Sequence, residues 1–153
     1  MANSPGGPRA GGQRGPAIGL MLVRVTVGVF LFFDGVGKAS WLLDSTPLAS
    51  QLSQWLAQAT PASRWYLERI MPGVPIFARL IPLAEMAGGL ALFLGFWTRL
   101  AAALALVMVL NFQLAAAAMF KYAYLTDPAG LPLLGALLGL MIGGGRLPLS
   151  LRK

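Results

Sequence analysis

The chain contains no cysteine and no histidine. Those two absences remove disulfides, thiol nucleophiles, iron–sulfur ligation, bis-histidine haem and most zinc sites. Any redox chemistry must therefore use a diffusible cofactor or a partner subunit. Charge is scarce too. Charged residues make up 11% of the 153 and hydrophobic ones 57%, against about 25% charged in a soluble domain. This is the composition of one integral membrane domain, with no room for a second soluble one. Acidic residues are the scarcest: five Asp and Glu stand against twelve Lys and Arg, a formal net charge of +7. In a soluble protein that excess would suggest nucleic acid. Here the basic residues sit at the ends of apolar segments, where they anchor and orient helices. The expected partner is the lipid bilayer, with no nucleic acid.

What is present is apolar and segmented. Four spans emerge on the criterion of about 20 apolar residues per crossing: 17–36, 76–97, 100–119 and a shorter, glycine-rich 129–145. Thr98-Arg99 alone separates the second from the third, which makes them a tight antiparallel hairpin. Residues 1–16 are rich in Gly and Pro and carry Arg9 and Arg14, the composition of a flexible cytoplasmic tail. A signal peptide is the competing reading. The apolar run is too long for that, contains Arg24 and lacks a clear A-x-A site, so it reads as a retained helix. Residues 148–153 form a second, basic cytoplasmic tail.

Between the first two spans, Thr46-Pro47 reads as an N-cap followed by an N1 proline, and Thr60-Pro61 repeats the signal. Leu48, Leu52, Trp55, Leu56 and Ala59 recur at helical spacing after the first; 63–71 forms the second. Both helices are amphipathic and are expected flat on the outer surface, either as a cap or as a lateral gate or docking surface. With the N-terminus inside, Arg9, Arg14, Arg99, Arg146, Arg152 and Lys153 are cytoplasmic and Lys38, Arg64, Arg69 and Lys121 are outside. Trp41, Trp55, Trp65, Tyr66, Tyr122 and Tyr124 mark the outer interface, and Trp97 the inner one.

Glu85 lies mid-way along the second span, where a lone carboxylate costs several kcal/mol unless it is paired, protonated or wet. Measured from the cytoplasmic span ends at 1.5 Å per residue, Arg24 lies about 10 Å deep, Glu85 about 18 Å and Asn111 about 17 Å. Asp34 and Arg79 lie at about 26 and 27 Å. Two layers are expected: Glu85 and Asn111 with Arg24 reaching up from below, and an outer layer of Asp34, Arg79 and Lys38. Gln113 lies about 200° round the helix from Asn111, so the two face different surroundings. The mid-membrane layer reads either as an Arg24–Glu85 pair knitting helices together, or as a pocket for a quinone or small anion with Glu85 as the titrating group. Gly135-x-x-x-Gly139-x-x-x-Gly143 and Ala87-x-x-x-Ala91-x-x-x-Gly95 permit close backbone approach, inside the chain or at a dimer or partner interface.

The segment Leu22-Val-Arg-Val-Thr-Val-Gly-Val-Phe-Leu-Phe-Phe-Asp-Gly-Val-Gly-Lys38 resembles the first helix of the DoxX-like membrane proteins. Glu85-Met-Ala-Gly-Gly-Leu-Ala-Leu-Phe-Leu-Gly-Phe-Trp-Thr-Arg-Leu-Ala101 resembles their second. Leu110-Asn-Phe-Gln-Leu-Ala115 and Trp65-Tyr-Leu-Glu-Arg-Ile-Met-Pro72 are similar to the branch with a long first outer loop, which includes membrane subunits of thiosulfate:quinone oxidoreductase. The resemblance spans about residues 17–145. It implies four helices in the bacterial cytoplasmic membrane; with the spans and the charge bias, the expected fold is an all-α integral membrane protein, a four-transmembrane-helix bundle with both termini inside. Its implied function is a small membrane subunit of a quinone-linked redox complex, with quinone as cofactor at Arg24, Asn111 and Glu85 and none bound covalently. The alternative is a non-catalytic accessory subunit packed against a larger respiratory or photosynthetic complex, or a homo-oligomer.

The orientation is testable because the chain has no native cysteine. A cysteine introduced at Gln54 is expected to react with a membrane-impermeant thiol reagent in intact cells; reaction only after lysis would reverse the topology.

Overall fold

The computed structural model describes residues 14–150. It comprises six α-helices: α1 Arg14–Gly37, α2 Thr46–Ala57, α3 Pro61–Ile70, α4 Val74–Leu94, α5 Thr98–Ala115 and α6 Leu131–Gly143. Short 3₁₀ turns join several of them, and no strand occurs among the described residues. The tail segments 1–13 and 151–153 lie outside the described residues.

α1, α4 and α5 are long and apolar enough to cross a bilayer. α6 has 13 residues, a rise of about 20 Å against a hydrocarbon core of about 30 Å. The expected span 129–145 ran further at both ends. Those residues instead form a turn, closed by the Gly130 amide on the Asp127 carbonyl at 2.9 Å, and a final 3₁₀ turn Gly144–Arg146. The outward faces of the helices remain apolar: Phe33, Leu83, Leu104, Val107 and Ile142 are all at least half exposed. Surfaces of that kind suit acyl chains rather than water. The protein is a multi-pass helical membrane protein.

Around the bundle the order is α4, α1, α6, α5, and the α1–α4 contact is by far the most extensive. Three glycines explain it. A Cβ on Gly28 would lie 2.6 Å from the Phe93 nitrogen and 2.8 Å from the Gly89 carbonyl oxygen. A Cβ on Gly89 would run into the Phe32 backbone nitrogen. A Cβ on Gly35 would lie 2.8 Å from the Pro82 carbonyl oxygen. The two helices touch backbone to backbone, which sets their antiparallel register: Gly28 sits between Gly89 and Phe93, and Gly35 between Pro82 and Met86. The expected stripe on α6 does not act this way. A Cβ on Gly135 would meet nothing within 4 Å, and those on Gly139 and Gly143 only the side chain of Leu20, at 4.0 and 2.7 Å, with no backbone contact.

α2 and α3 build a second, smaller core over one end of the bundle, in which Leu48, Leu52 and Leu67 pack with Val74, Ala78 and Ala115. Thr60 caps α3 as expected, its Oγ1 accepting from the Ser63 amide. The fully buried Ser63 hydroxyl donates to the Leu114 carbonyl at 2.9 Å and ties α3 to the end of α5. α2 starts one residue earlier than expected, with Thr46 already helical. The Asp44 carboxylate accepts from the Thr46 amide at 2.9 Å, and hydrogen bonding by Thr46 holds this carboxyl below its ordinary range.

Neighbouring glycines on α4 provide a paired test. Gly88→Ala has open space for its methyl group, so the melting temperature in detergent is expected to hold or rise. Gly89→Ala must force α1 away, at a cost of about 1–3 kcal/mol for overpacking. Equal melting temperatures for the two variants would contradict the packing described.

Candidate functional site

Lys38, Asp34 and Glu85 meet at the end of the bundle that carries α2 and α3. Lys38 follows α1 directly and caps the 3₁₀ turn Ala39–Leu42. The α1–α4 register carries it over the middle of α4. Its Nζ lies 2.6 Å from Glu85 Oε1 and 2.5 Å from Asp34 Oδ2. Asp34 precedes Lys38 by one helical turn, so α1 supplies both the cation and its second carboxylate. The Phe112 ring of α5 also faces the ammonium, with its centroid 5.6 Å from Nζ. Glu85 is 2% exposed, whereas the Asp34 side chain is 42% exposed. The inner carboxylate therefore depends on Lys38 far more than the outer one does. Glu85 Oε2 is buried with no hydrogen-bond partner among the described residues. A buried acceptor without a partner is costly.

A cavity of about 300 Å³ adjoins this cluster. Lys38 and Glu85 form one side; Trp41, Trp55 and Phe112 form aromatic walls; Gln113 adds an amide. Trp55 and Phe112 meet edge to face with centroids 6.3 Å apart, which holds both rings in place. Gln113 is buried, and its Nε2 donates to the Ala129 carbonyl at 2.8 Å, joining α5 to the approach of α6. Lys38 has three N–H donors and gives two to carboxylates. Such a chamber offers a cation, a buried acceptor and flat apolar walls.

The expected Arg24–Glu85 pair does not form. Arg24 is 1% exposed and lies at the opposite end of the bundle. Its Nη1 donates to Ser150 Oγ at 2.6 Å and its Nη2 to the Leu149 carbonyl at 3.2 Å. Gly95, at φ +71°, has no room for a Cβ beside that guanidinium. The depth estimate aligned α1 and α4 by their span ends. The glycine contacts shift the true register by about five residues, or roughly 7–8 Å, which moves Lys38 rather than Arg24 onto Glu85. Residues 148–150, expected as part of a free tail, supply the neutral acceptors for Arg24.

The expected Glu85–Asn111 layer is not formed either. Asn111 is exposed on the other side of α5, where its Oδ1 accepts from the Tyr66 hydroxyl of α3. The residue that turns inward is Gln113. It continues the buried series Ala102, Ala105, Leu106 and Val109, and that spacing was the signal available in the sequence. Arg79 does not join Asp34 and Lys38. It is exposed and donates to the Pro75 carbonyl of its own helix at 3.0 Å, because it sits about 120° round α4 from Glu85. Trp41 and Trp55, read as interfacial anchors, are half-buried walls of the cavity. Trp65 does remain exposed, against Arg69 at 4.5 Å.

A sequence model of the DoxX family matches residues 19–118. No curated protein and no solved structure matches the chain. The matched region runs through α1 to α5 and contains Asp34, Lys38, Glu85 and Gln113. The chain belongs to the DoxX family.

The pairing has a stability signature. Lys38→Met leaves Glu85 buried without a counter-charge, at a cost of about 3–5 kcal/mol in a soluble interior and somewhat less where lipid and water can adapt. Adding Glu85→Gln to Lys38→Met is expected to restore most of the lost melting temperature in detergent. Adding it to Arg24→Gln is expected to restore none. The reverse pattern would reinstate the Arg24–Glu85 pair.

Proposed function

We propose that this DoxX-family protein is a membrane subunit that binds a quinone head group in the cavity beside Lys38 and Glu85. The observation that carries this reading is the unpartnered Glu85 Oε2, two bonds from the oxygen held by Lys38, on a residue that lines a chamber with aromatic walls. A quinone ring is flat and apolar in its body and carries oxygens at opposite edges. Lys38, with a third N–H to give, would hold one oxygen. Trp41, Trp55 and Phe112 would sandwich the ring. Once reduced, the ring carries hydroxyl groups, and one of them would donate to Oε2. Glu85 is thus the group positioned to pass protons, with Asp34 linking it through Lys38 to the exposed end of α1.

The chain has no His or Cys, so its electrons would come from a partner chain. The basic residues favour both termini on the cytoplasmic side of a bacterial inner membrane. The cavity would then open toward the outer face, where such a partner would dock.

Binding is tested with 2-methyl-1,4-naphthoquinone, which has no tail and quenches tryptophan fluorescence. Saturable quenching that depends on Trp55 is expected. Lys38→Gln is expected to weaken it about ten-fold or more, in line with the loss of a charge-assisted hydrogen bond. Quenching that stays linear with concentration would overturn the reading. In native membranes, Glu85→Gln is expected to leave abundance intact, because Lys38 keeps Asp34, and to abolish quinone-dependent turnover. Normal turnover at normal abundance would favour an accessory subunit instead.

A further inference from the structure

α4 and α5 are consecutive helices joined by a tight turn, in which Gly95 and Trp97 both take positive φ. They nonetheless pack far less closely than α1 and α4. A groove of about 660 Å³ lies along their seam. It runs from Trp97 to Asn111, about 21 Å along α5. Ala84, Ala87, Gly88 and Ala91 make its α4 wall. The small-residue pattern on this helix therefore serves two faces. Gly89 is filled by α1, whereas a Cβ on Gly88 would meet nothing within 4 Å.

The seam adjoins the charged cavity. Leu31 and Met108 line both. Met108 also lines a third, smaller space beneath α2 and α3, so the three spaces meet at one side chain. Met108 is unbranched and has three rotatable bonds; Leu31 is buried behind it. Between lipid and the polar chamber stands a wall of two apolar side chains, one of them easily moved.

The groove is lined almost wholly by apolar side chains along its length and abuts the wall of the charged cavity, which suits a hydrocarbon chain attached to a polar ring. We propose that the α4–α5 seam holds the hydrocarbon tail of a lipid-borne ligand whose polar ring sits at Lys38 and Glu85. The inference rests on the head-group reading above and narrows it: the ligand is a long-chain amphiphile entering sideways from the bilayer, and not a water-soluble anion entering from the end of the bundle. The open seam admits the chain, Met108 swings to let the ring pass, and the Tyr66–Asn111 hydrogen bond closes the seam at the end nearest α3.

The test compares tail-less 2-methyl-1,4-naphthoquinone with its tetraprenyl homologue on the full chain in phosphatidylcholine nanodiscs. Quenching of tryptophan fluorescence is the readout. Gly88→Leu fills the seam from a position with free space that is not part of the charged cavity's lining. It is expected to weaken the tailed ligand about ten-fold or more while leaving the tail-less one within about two-fold. Ala84→Leu, on the same wall, is expected to do the same and covers the case in which Gly88→Leu fails to fold. An equal effect on both ligands, or none on either, would overturn the tail assignment while leaving head-group binding in place. A change of oligomeric state in the folded variant would show the seam to be a protein interface and overturn it too. Failure of both ligands to bind the wild-type chain would remove the head-group reading and this inference with it.

Discussion

Backbone contact between α1 and α4 is the constraint on which the rest of the structure depends. Gly28 and Gly89 leave no space for a Cβ, and Gly35 rests on the Pro82 carbonyl. In lipid, helices gain little from hydrophobic association, so close approach through small residues and interhelical polar bonds must hold them. Here the two are coupled. The glycines fix the register, and the register delivers Lys38 to Glu85 at 2.6 Å. Packing and electrostatics therefore specify the same alignment, which is the consistency expected of a sequence with one folded state.

The charges divide between the two ends of the molecule. At one end, two carboxylates share one ammonium beside an aromatic chamber. At the other, Arg24 is buried against neutral oxygens of Leu149 and Ser150. The first leaves the buried Glu85 Oε2 without a partner among the described residues and the second the buried Arg24 Nε; the second also anchors the polypeptide after α6. α2 and α3 are more than a lid. Through Trp55 they complete the chamber wall, and through Tyr66 and Ser63 they hydrogen-bond to Asn111 and to the Leu114 carbonyl of α5. Those bonds hold Phe112 and Gln113 toward the cavity while Asn111 faces the seam.

Much of this was legible in the sequence because lipid imposes simple rules. Composition and segment length identified a helical membrane bundle, and the Thr60-Pro61 signal and the apolar spacing from Leu48 to Ala59 located α2 and α3. Glu85 stood out as the one acidic residue in mid-span. Its partner did not, because span ends are a poor ruler. Helices of unequal length slide until their glycines meet, and a slip of about five residues exchanges one basic partner for another. Choosing between Asn111 and Gln113 needed the alanine face of α5, which is only weakly apolar and easily read as lipid-facing. Trp41 and Trp55 resembled interfacial anchors because an aromatic belt and an aromatic cavity wall have the same composition; only the tertiary position of α2 separates them. The sharing of Leu31 and Met108 between cavity and seam has no sequence signature at all.

The most direct test of the account is the identity of the cation beside Glu85. In lipid bilayers, a solid-state dipolar-recoupling experiment with ¹⁵N in lysine and arginine side chains and ¹³C at the glutamate carboxyl measures it. The structure predicts strong coupling between Lys38 Nζ and Glu85 Cδ, corresponding to about 3–4 Å for a charge-assisted hydrogen bond, and loss of that coupling in Lys38→Met. Coupling of Glu85 to the Arg24 guanidinium instead, or to no cation, would contradict the register and the site built on it.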